Sequence, residues 1–275
     1  MERERADAWL EAYRQAWEDA DARAIPGMFT QEARYRAHPQ GTAHTGHDAI
    51  ADYWTRATAG QRDIQVRFGD PIVDGDRVAA EFWATMRSDG GPVTVAGCLL
   101  LAHAADGGCR SLRECWHETG ALLAPPPDWG RLGPPPGPDA GGSGADHGRR
   151  WAEGYERAWR AGEPEAAAAL YAPDAHYRSA PFRDPHLGRD GVLAYTRRAY
   201  ATETAQDPRF GTPFASPSGP AAAVEWWATM REEGQPATLI GCSFLTFTPD
   251  GLVATGRDYW FLEPGTHAPY DGWGG

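Results

Sequence analysis

Lysine is missing from this chain: all 26 basic residues are Arg. Without a lysine amine there is no Schiff-base chemistry and no phosphate-binding loop of the kind that ends on Lys. A basic surplus is missing too. The formal net charge is −12, with 14 Arg against 22 acidic residues before residue 148 and 12 against 16 after it. Neither half therefore offers the cationic face that a phosphate backbone needs, and no nucleic-acid partner is expected. Long apolar runs are absent as well. Nothing approaches the roughly 18 residues of a membrane span, and the opening MERERADAWL has charges without a signal-peptide core. These absences predict a soluble cytoplasmic protein with no membrane partner. Cysteine is sparse: Cys98, Cys109, Cys115 and Cys242 form no metal or redox motif and read as packing residues. His38, His44 and His47 lie close in sequence but lack acidic or thiolate ligands at helical spacing, so no metal site is expected.

What the chain does contain is itself, twice. Residues Glu81 to Cys98 read EFWATMRSDGGPVTVAGC and residues Glu225 to Cys242 read EWWATMREEGQPATLIGC, identical at eleven of eighteen positions. At an offset of 142, Trp9, Tyr13 and Trp17 match Trp151, Tyr155 and Trp159; Tyr35-Arg36 matches Tyr177-Arg178, and Gly46 and Asp48 match Gly188 and Asp190. The offset becomes 144 after a two-residue insertion in the second copy around Ser216 to Pro220, and Arg113-Glu114-Cys115-Trp116 then matches Arg257-Asp258-Tyr259-Trp260. A period of this length means duplicated domains rather than a solenoid. Each unit is large enough for its own core. The expected division is a first copy over 1–130, a Pro/Gly-rich linker over 131–147 containing GGSG, and a second copy over 148–275.

Both copies show the same order of elements. Trp9, Tyr13, Ala16 and Trp17, like their twins, recur at helical spacing. A second short helix is expected at Glu163 to Tyr171, with Pro164 suited to a first turn. A strand carrying Tyr35 or Tyr177 follows, then a helix over Gly46 to Ala59 or Gly188 to Thr202. The remainder is strands, near 65–68, 78–87, 93–103 and 112–117 in the first copy, with a hairpin turn at Asp74-Gly75. Helices first and an antiparallel sheet afterwards predicts an α+β fold with the helices on one face of a curved sheet.

This order resembles the cone-shaped (cystatin-like) SnoaL-like branch of the nuclear transport factor 2 superfamily, over nearly all of each module. The second copy is similar to the limonene epoxide hydrolase family at Ala172 to Tyr177, Pro181, Gly188-Arg189-Asp190, Gly241 and Arg257-Asp258-Tyr259. The resemblance implies that the acids face the cone interior. Side chains alternate along a strand, so Glu225 and Trp227 point one way and Trp226, Ala228 and Met230 the other. On that basis Glu225 is expected beside Asp258, and Glu81 beside Glu114, in pockets walled by Trp83, Trp116, Trp227 and Trp260. Two carboxyls confined together are driven apart in pKa, which suits one as acid and the other as base.

Carried over residue by residue, the resemblance implies Asp258 as the base that deprotonates water, Glu225 as proton donor and Tyr177 as a water-holding hydroxyl. Ser179 stands where the family has Asn, and Ala223 where it has an Arg bridging the two acids. The first copy keeps Tyr35, has Ala37 and Ala79 at those two positions, and replaces the Asp with Glu114. A different reading of the same acids, as solvated strand residues or members of cross-strand ion pairs, stays open, as does a core role for the tyrosines.

Phe82, Ala84 and Met86, with Trp226, Ala228 and Met230, are expected to form an apolar outer face. Relatives of this fold dimerise sheet to sheet, so an intrachain pseudo-dimer, monomeric in solution, is expected. The functional expectation is a cofactor-independent acid/base enzyme acting on a small, mostly apolar organic substrate, of the cyclase, isomerase, dehydratase or epoxide hydrolase type. The alternative is a noncatalytic ligand-binding or assembly module.

Overall fold

A computed structural model of the chain describes residues 2–133, 142–216 and 219–275. It divides into two compact units, Met1–Arg131 and Leu132–Gly275. The first contains α1 (Arg3–Glu18), a 3-10 turn (Ile25–Met28), β1 (Phe29–Arg36), β2 (His44–Thr45), α2 (Gly46–Thr58), β3 (Arg62–Phe68), β4 (Ile72–Asp74), β5 (Arg77–Ser88), β6 (Gly91–His103) and β7 (Cys109–Thr119). The second contains α3 (Gly144–Ala161), α4 (Pro164–Ala168), β8 (Tyr171–Arg178), β9 (His186–Leu187), α5 (Gly188–Thr202), β10 (Glu203–Phe210), β11 (Phe214–Ala215), β12 (Ala221–Glu232), β13 (Gln235–Phe247) and β14 (Val253–Pro264). Each is an α+β module with helices on a seven-stranded sheet.

The sheets run β2-β1-β7-β6-β5-β3 and β9-β8-β14-β13-β12-β10, with β4 and β11 attached to β5 and β12. They are mixed rather than purely antiparallel, because β1 lies parallel to β7 and β8 parallel to β14. Alternation within a strand says nothing about strand order, and only the fold brings the first long strand of each module back against the last. That pairing matters for the site: it sets Tyr177 next to the strand that carries Asp258, with Gly256 opposite Tyr177.

The second module begins earlier than the composition indicates. The Ser143 hydroxyl accepts from the Asp146 amide at 3.2 Å while the Asp146 carboxylate accepts from the Ser143 amide at 3.4 Å, a reciprocal cap that starts α3 at Gly144. Residues 144–147 of the expected linker are therefore helix. Its residues 134–141, and residues 217–218 of the insertion, lie outside the described residues.

Trp9, Leu10, Tyr13 and Ala16 are buried along one side of α1, which packs on the sheet face bearing Val78, Ala80, Phe82, Leu99, Leu101 and Leu112. In the second module the same face bears Val224, Trp226, Ala228 and Met230 beneath α3. These aromatic and apolar residues, expected on the outside, form the interior. The outer face of each sheet instead carries Glu81 and Trp83, or Glu225 and Trp227, and is covered in part by the segment that follows the last strand. Trp83 donates to the Leu123 carbonyl at 2.8 Å and Trp227 to that of His267 at 2.9 Å. Among the described residues no helix is long and apolar enough to cross a membrane.

Candidate functional site

Register decides which side chains meet. In β12, β13 and β14, Val224 lies opposite Ser243, and Ser243 opposite Asp258; Glu225 lies opposite Cys242, and Cys242 opposite Tyr259. Directly opposed residues share a face of the sheet. Asp258 therefore points with Val224 and Trp226 into the cone, and Glu225 points out on the other side. The first module repeats this arrangement: Ala80, Leu99 and Glu114 are aligned, as are Glu81, Cys98 and Cys115. The expected acid pairs Glu225 with Asp258 and Glu81 with Glu114 are thus separated by the sheet itself, and Trp227 and Trp83 leave the pocket with them. Both faces of β5 and β12 carry aromatic residues, so alternation alone does not name the inner one. Asp258, Tyr177, Ser179 and Trp260 do converge.

They converge on a cavity of about 460 Å³, within the size range of small-molecule sites. Its wall is predominantly aromatic, formed by Tyr155 and Trp159 of α3, Tyr171 and Tyr177 of β8, Tyr195 and Tyr200 of α5, and Phe210, Trp226 and Trp260. Trp226 reaches across the sheet because its neighbour on β13 is Gly241, where a Cβ would meet the indole at 2.5 Å.

Asp258 sits in this wall with both oxygens engaged. The Tyr177 hydroxyl donates to Oδ2 at 2.5 Å and the Ser243 hydroxyl to Oδ1 at 2.7 Å, while Trp226 Nε1 donates to Ser243 at 3.0 Å. Burial raises the Asp258 pKa and the two hydroxyl bonds lower it; burial wins, and the group is pushed up to about 6. The exposure Asp258 retains is to the cavity it lines. Burial also lifts Tyr155 and Tyr177 well above the usual phenol range and Tyr195 to about 12, with the Asp258 charge contributing to each. All three remain hydroxyl donors at any physiological pH.

At the mouth, the Ser179 hydroxyl and His186 Nε2 are 3.1 Å apart, the Ser179 carbonyl accepts from Trp260 at 2.6 Å, and His186 stacks on Tyr195 with ring centroids 4.5 Å apart. Burial, then the charges of Arg198 and Arg183, hold the His186 pKa down. The opposite sheet edge supplies a carboxyl that sequence reasoning missed. Glu203 of β10 lines the cavity, its Oε2 accepts from Trp159 at 2.7 Å, and burial raises its pKa to about 7. The signal was present, since Gln61 stands at the equivalent place in the first copy and its Oε1 accepts from Trp17 at 3.4 Å. β10 and β14 are three strands apart, about 14 Å across a flat sheet, so Glu203 and Asp258 address different parts of a bound molecule.

The first module builds a related cluster around a filled centre. The Tyr35 hydroxyl donates to Glu114 Oε1, Tyr13 approaches the same oxygen at 3.4 Å, and burial pushes Glu114 up to about 7. Trp116 is partly buried against this core and donates to the Ala37 carbonyl at 2.9 Å. Trp54 occupies the centre, edge-on to Tyr13, Trp17 and Tyr35 at centroid distances of 5.3, 5.7 and 6.3 Å. The equivalent residue of the second module is Thr196, which lines the cavity.

The SnoaL-like domain family model matches residues 10–111 and again residues 152–255. No curated protein matches the chain. Solved structures of similar fold include a protein of ketosteroid isomerase-like fold from Catenulispora acidiphila in complex with trimethylamine, 22% identical over 38% of this chain and 82% of its own, with a TM-score of 0.36. The epoxide hydrolase/cyclase-like enzyme SalBIII of salinomycin pyran ring formation is 18% identical over 42% of this chain and 94% of its own, TM-score 0.38. A putative aromatic ring hydroxylase from Novosphingobium aromaticivorans is 20% identical over 42% and 92%, TM-score 0.38. With both modules matched over most of their length, the chain belongs to the SnoaL-like domain family and carries that domain twice.

Proposed function

We propose that the second module is a cofactor-independent proton-transfer enzyme for a small, mostly apolar carbonyl compound, of the isomerase or cyclase type, with Asp258 as its base. The observation that carries this reading is a carboxyl held by Tyr177 and Ser243 in the wall of an aromatic cavity, with its pKa raised to about 6. Such a group is ionised at neutral pH yet more basic than an ordinary aspartate, a combination that favours proton abstraction. The Asp258 carboxylate takes a proton from the carbon next to the carbonyl, and the electron pair moves onto the carbonyl oxygen. A tyrosine hydroxyl of the wall, Tyr155 or Tyr195, donates to that oxygen. Asp258 then returns the proton to another carbon, or the enolate carbon attacks a second carbonyl of the same molecule and closes a ring, the second carbonyl oxygen taking the electron pair and the proton from Asp258.

The separation of Glu225 from Asp258 favours this over epoxide hydrolysis, which in the resembled family uses two neighbouring acids bridged by an Arg. Here only Asp258 of the two family acid positions faces the cavity, Glu203 and Glu232 line it from the other sheet edge, and the bridging position is Ala223. The test is deuterium exchange at the α-carbon of 2-tetralone in D2O, followed by proton NMR. The wild-type chain should exceed the buffer rate, Asp258→Asn should lose at least about 100-fold of the catalysed rate, and Glu225→Gln should retain it. Equal rates for wild type and Asp258→Asn, or loss in Glu225→Gln, would refute the assignment.

A further inference from the structure

The cavity of the second module is polar at two ends, with opposite signs. Glu203 and Glu232 are opposed in register on β10 and β12 at one edge of the sheet, and both line the cavity. Arg183, in the connection after β8, and Arg198, on α5, line it on the side of Ser179 and His186. The two guanidiniums are close enough to His186 for both charges to depress its pKa, after burial.

These arginines differ from their neighbours. On α5, Arg189 donates to the Tyr171 carbonyl at 2.8 Å and Arg197 pairs with Glu165 at 2.6 Å. On α3, Arg160 pairs with Glu156 and Asp207. Neither Arg183 nor Arg198 pairs with a carboxylate among the described residues, in a chain with 38 acidic residues to choose from. The loop bearing Arg183 is held in place, since the Arg178 guanidinium donates to the Arg183 carbonyl at 2.5 Å and the Arg183 amide to the Ala180 carbonyl at 3.2 Å. The first module keeps the same tether, Arg36 to the Gly41 carbonyl, with glycine in the place of Arg183. A second arginine at the mouth thus accompanies the open cavity and is missing where Trp54 fills the core. Leu262 adds a half-exposed apolar side chain to the same lining.

We infer that Arg183 and Arg198 form an anion-binding mouth, and that the cavity takes a ring-bearing apolar molecule with a terminal carboxylate. This rests on the reading of the cavity as a substrate site. The carboxylate stays at the mouth, where paired N–H donors meet its oxygens, and the rings enter between Tyr155, Trp159 and Trp226. Glu203 and Glu232 offer an anion no cationic partner at the β10 edge, so the molecule enters one way round and presents its middle to Asp258.

The test compares 1-naphthaleneacetate with 1-naphthaleneacetamide, which share a body and differ in charge, by isothermal titration calorimetry on the full chain. The acetate should bind at least fivefold tighter than the amide at 20 mM NaCl, and the preference should shrink at 300 mM NaCl. The double variant Arg183→Gln/Arg198→Gln should bring the two within twofold of each other while leaving the amide affinity unchanged, which also shows that the variant is folded. Thr196→Trp should remove binding of both. Equal affinity of the two probes for the wild type, or a preference that survives in the double variant, overturns the anion mouth and leaves the cavity reading intact. Binding of neither probe to the wild type overturns both.

Discussion

Replacing Asp258 by Asn changes a charge without changing shape, and its effect on stability can be worked out without knowing the substrate. In the folded chain the Asp258 pKa is raised from 3.8 to about 6. A raised carboxyl pKa means that the native state holds the proton more tightly than the unfolded chain, so the group stabilises the fold below the unfolded pKa and loses that contribution as pH rises through the folded one. At about 1.4 kcal/mol per pKa unit the full effect is about 3 kcal/mol. Water in the cavity screens part of it, which leaves roughly 1–2 kcal/mol between pH 4.5 and pH 8. Asn resembles the protonated acid and does not titrate. The variant should therefore lie closer to the wild type at pH 4.5, and its advantage should be about 1–2 kcal/mol larger at pH 8. Urea unfolding at both pH values, followed by tryptophan fluorescence, measures the difference; the shared titration of every other group cancels. A variant less stable than wild type at pH 8 by more than at pH 4.5 would show that the Tyr177 and Ser243 bonds outweigh burial, and that Asp258 is not a strengthened base.

The same balance gives a kinetic expectation. Ser243→Ala removes a bond to the ionised form, so the acid limb of the pH–rate profile should move upward from about pH 6, by up to roughly one unit; an unchanged or lowered limb would contradict the role of Ser243. Exchanging the residues that distinguish the two cores is the other expectation. Trp54→Thr should open a probe-binding cavity in the first module at a stability cost of about 3–5 kcal/mol, giving two sites per chain by calorimetry with 1-naphthaleneacetamide. One site in that variant would show that other residues keep the first core closed.

Elements were legible in the sequence where periodicity was strong. The Trp9, Tyr13 and Ala16 spacing is α1, and the long strands fall over the segments that alternate. Asp258, Tyr177 and Ser179 follow from the family resemblance and Trp260 from sharing a strand face with Asp258, and all four meet in the structure. Glu225 and Trp227 were misplaced for a definable reason: in EWWATMR each phase carries a tryptophan and Glu225 is buried like Trp226, so alternation does not name the inner face. Phase is set by the neighbours in register, Ser243 opposite Val224 and Asp258 opposite Ser243, which lie on other strands. Glu203 was missed because it stands at a helix-to-strand junction, the C-cap of α5 and first residue of β10, where no periodicity marks it; only its twin Gln61 does. The start of α3 was obscured by glycine-rich composition, although Ser143 and Asp146 have the spacing of a reciprocal cap.

The Trp54 indole can be read as a ligand that the chain carries with it. Its edge-on contacts to Tyr13, Trp17 and Tyr35 have counterparts in Tyr155, Trp159 and Tyr177, the residues around the empty space where Thr196 stands. The first module is thus a standing mould of an occupied site: it records that a flat bicyclic ring fits among three aromatic edges, above a buried acid. A guest for the second module need not be guessed from volume alone. A ring size and an angle to the wall to test there are those of Trp54, in the same chain, 142 residues earlier.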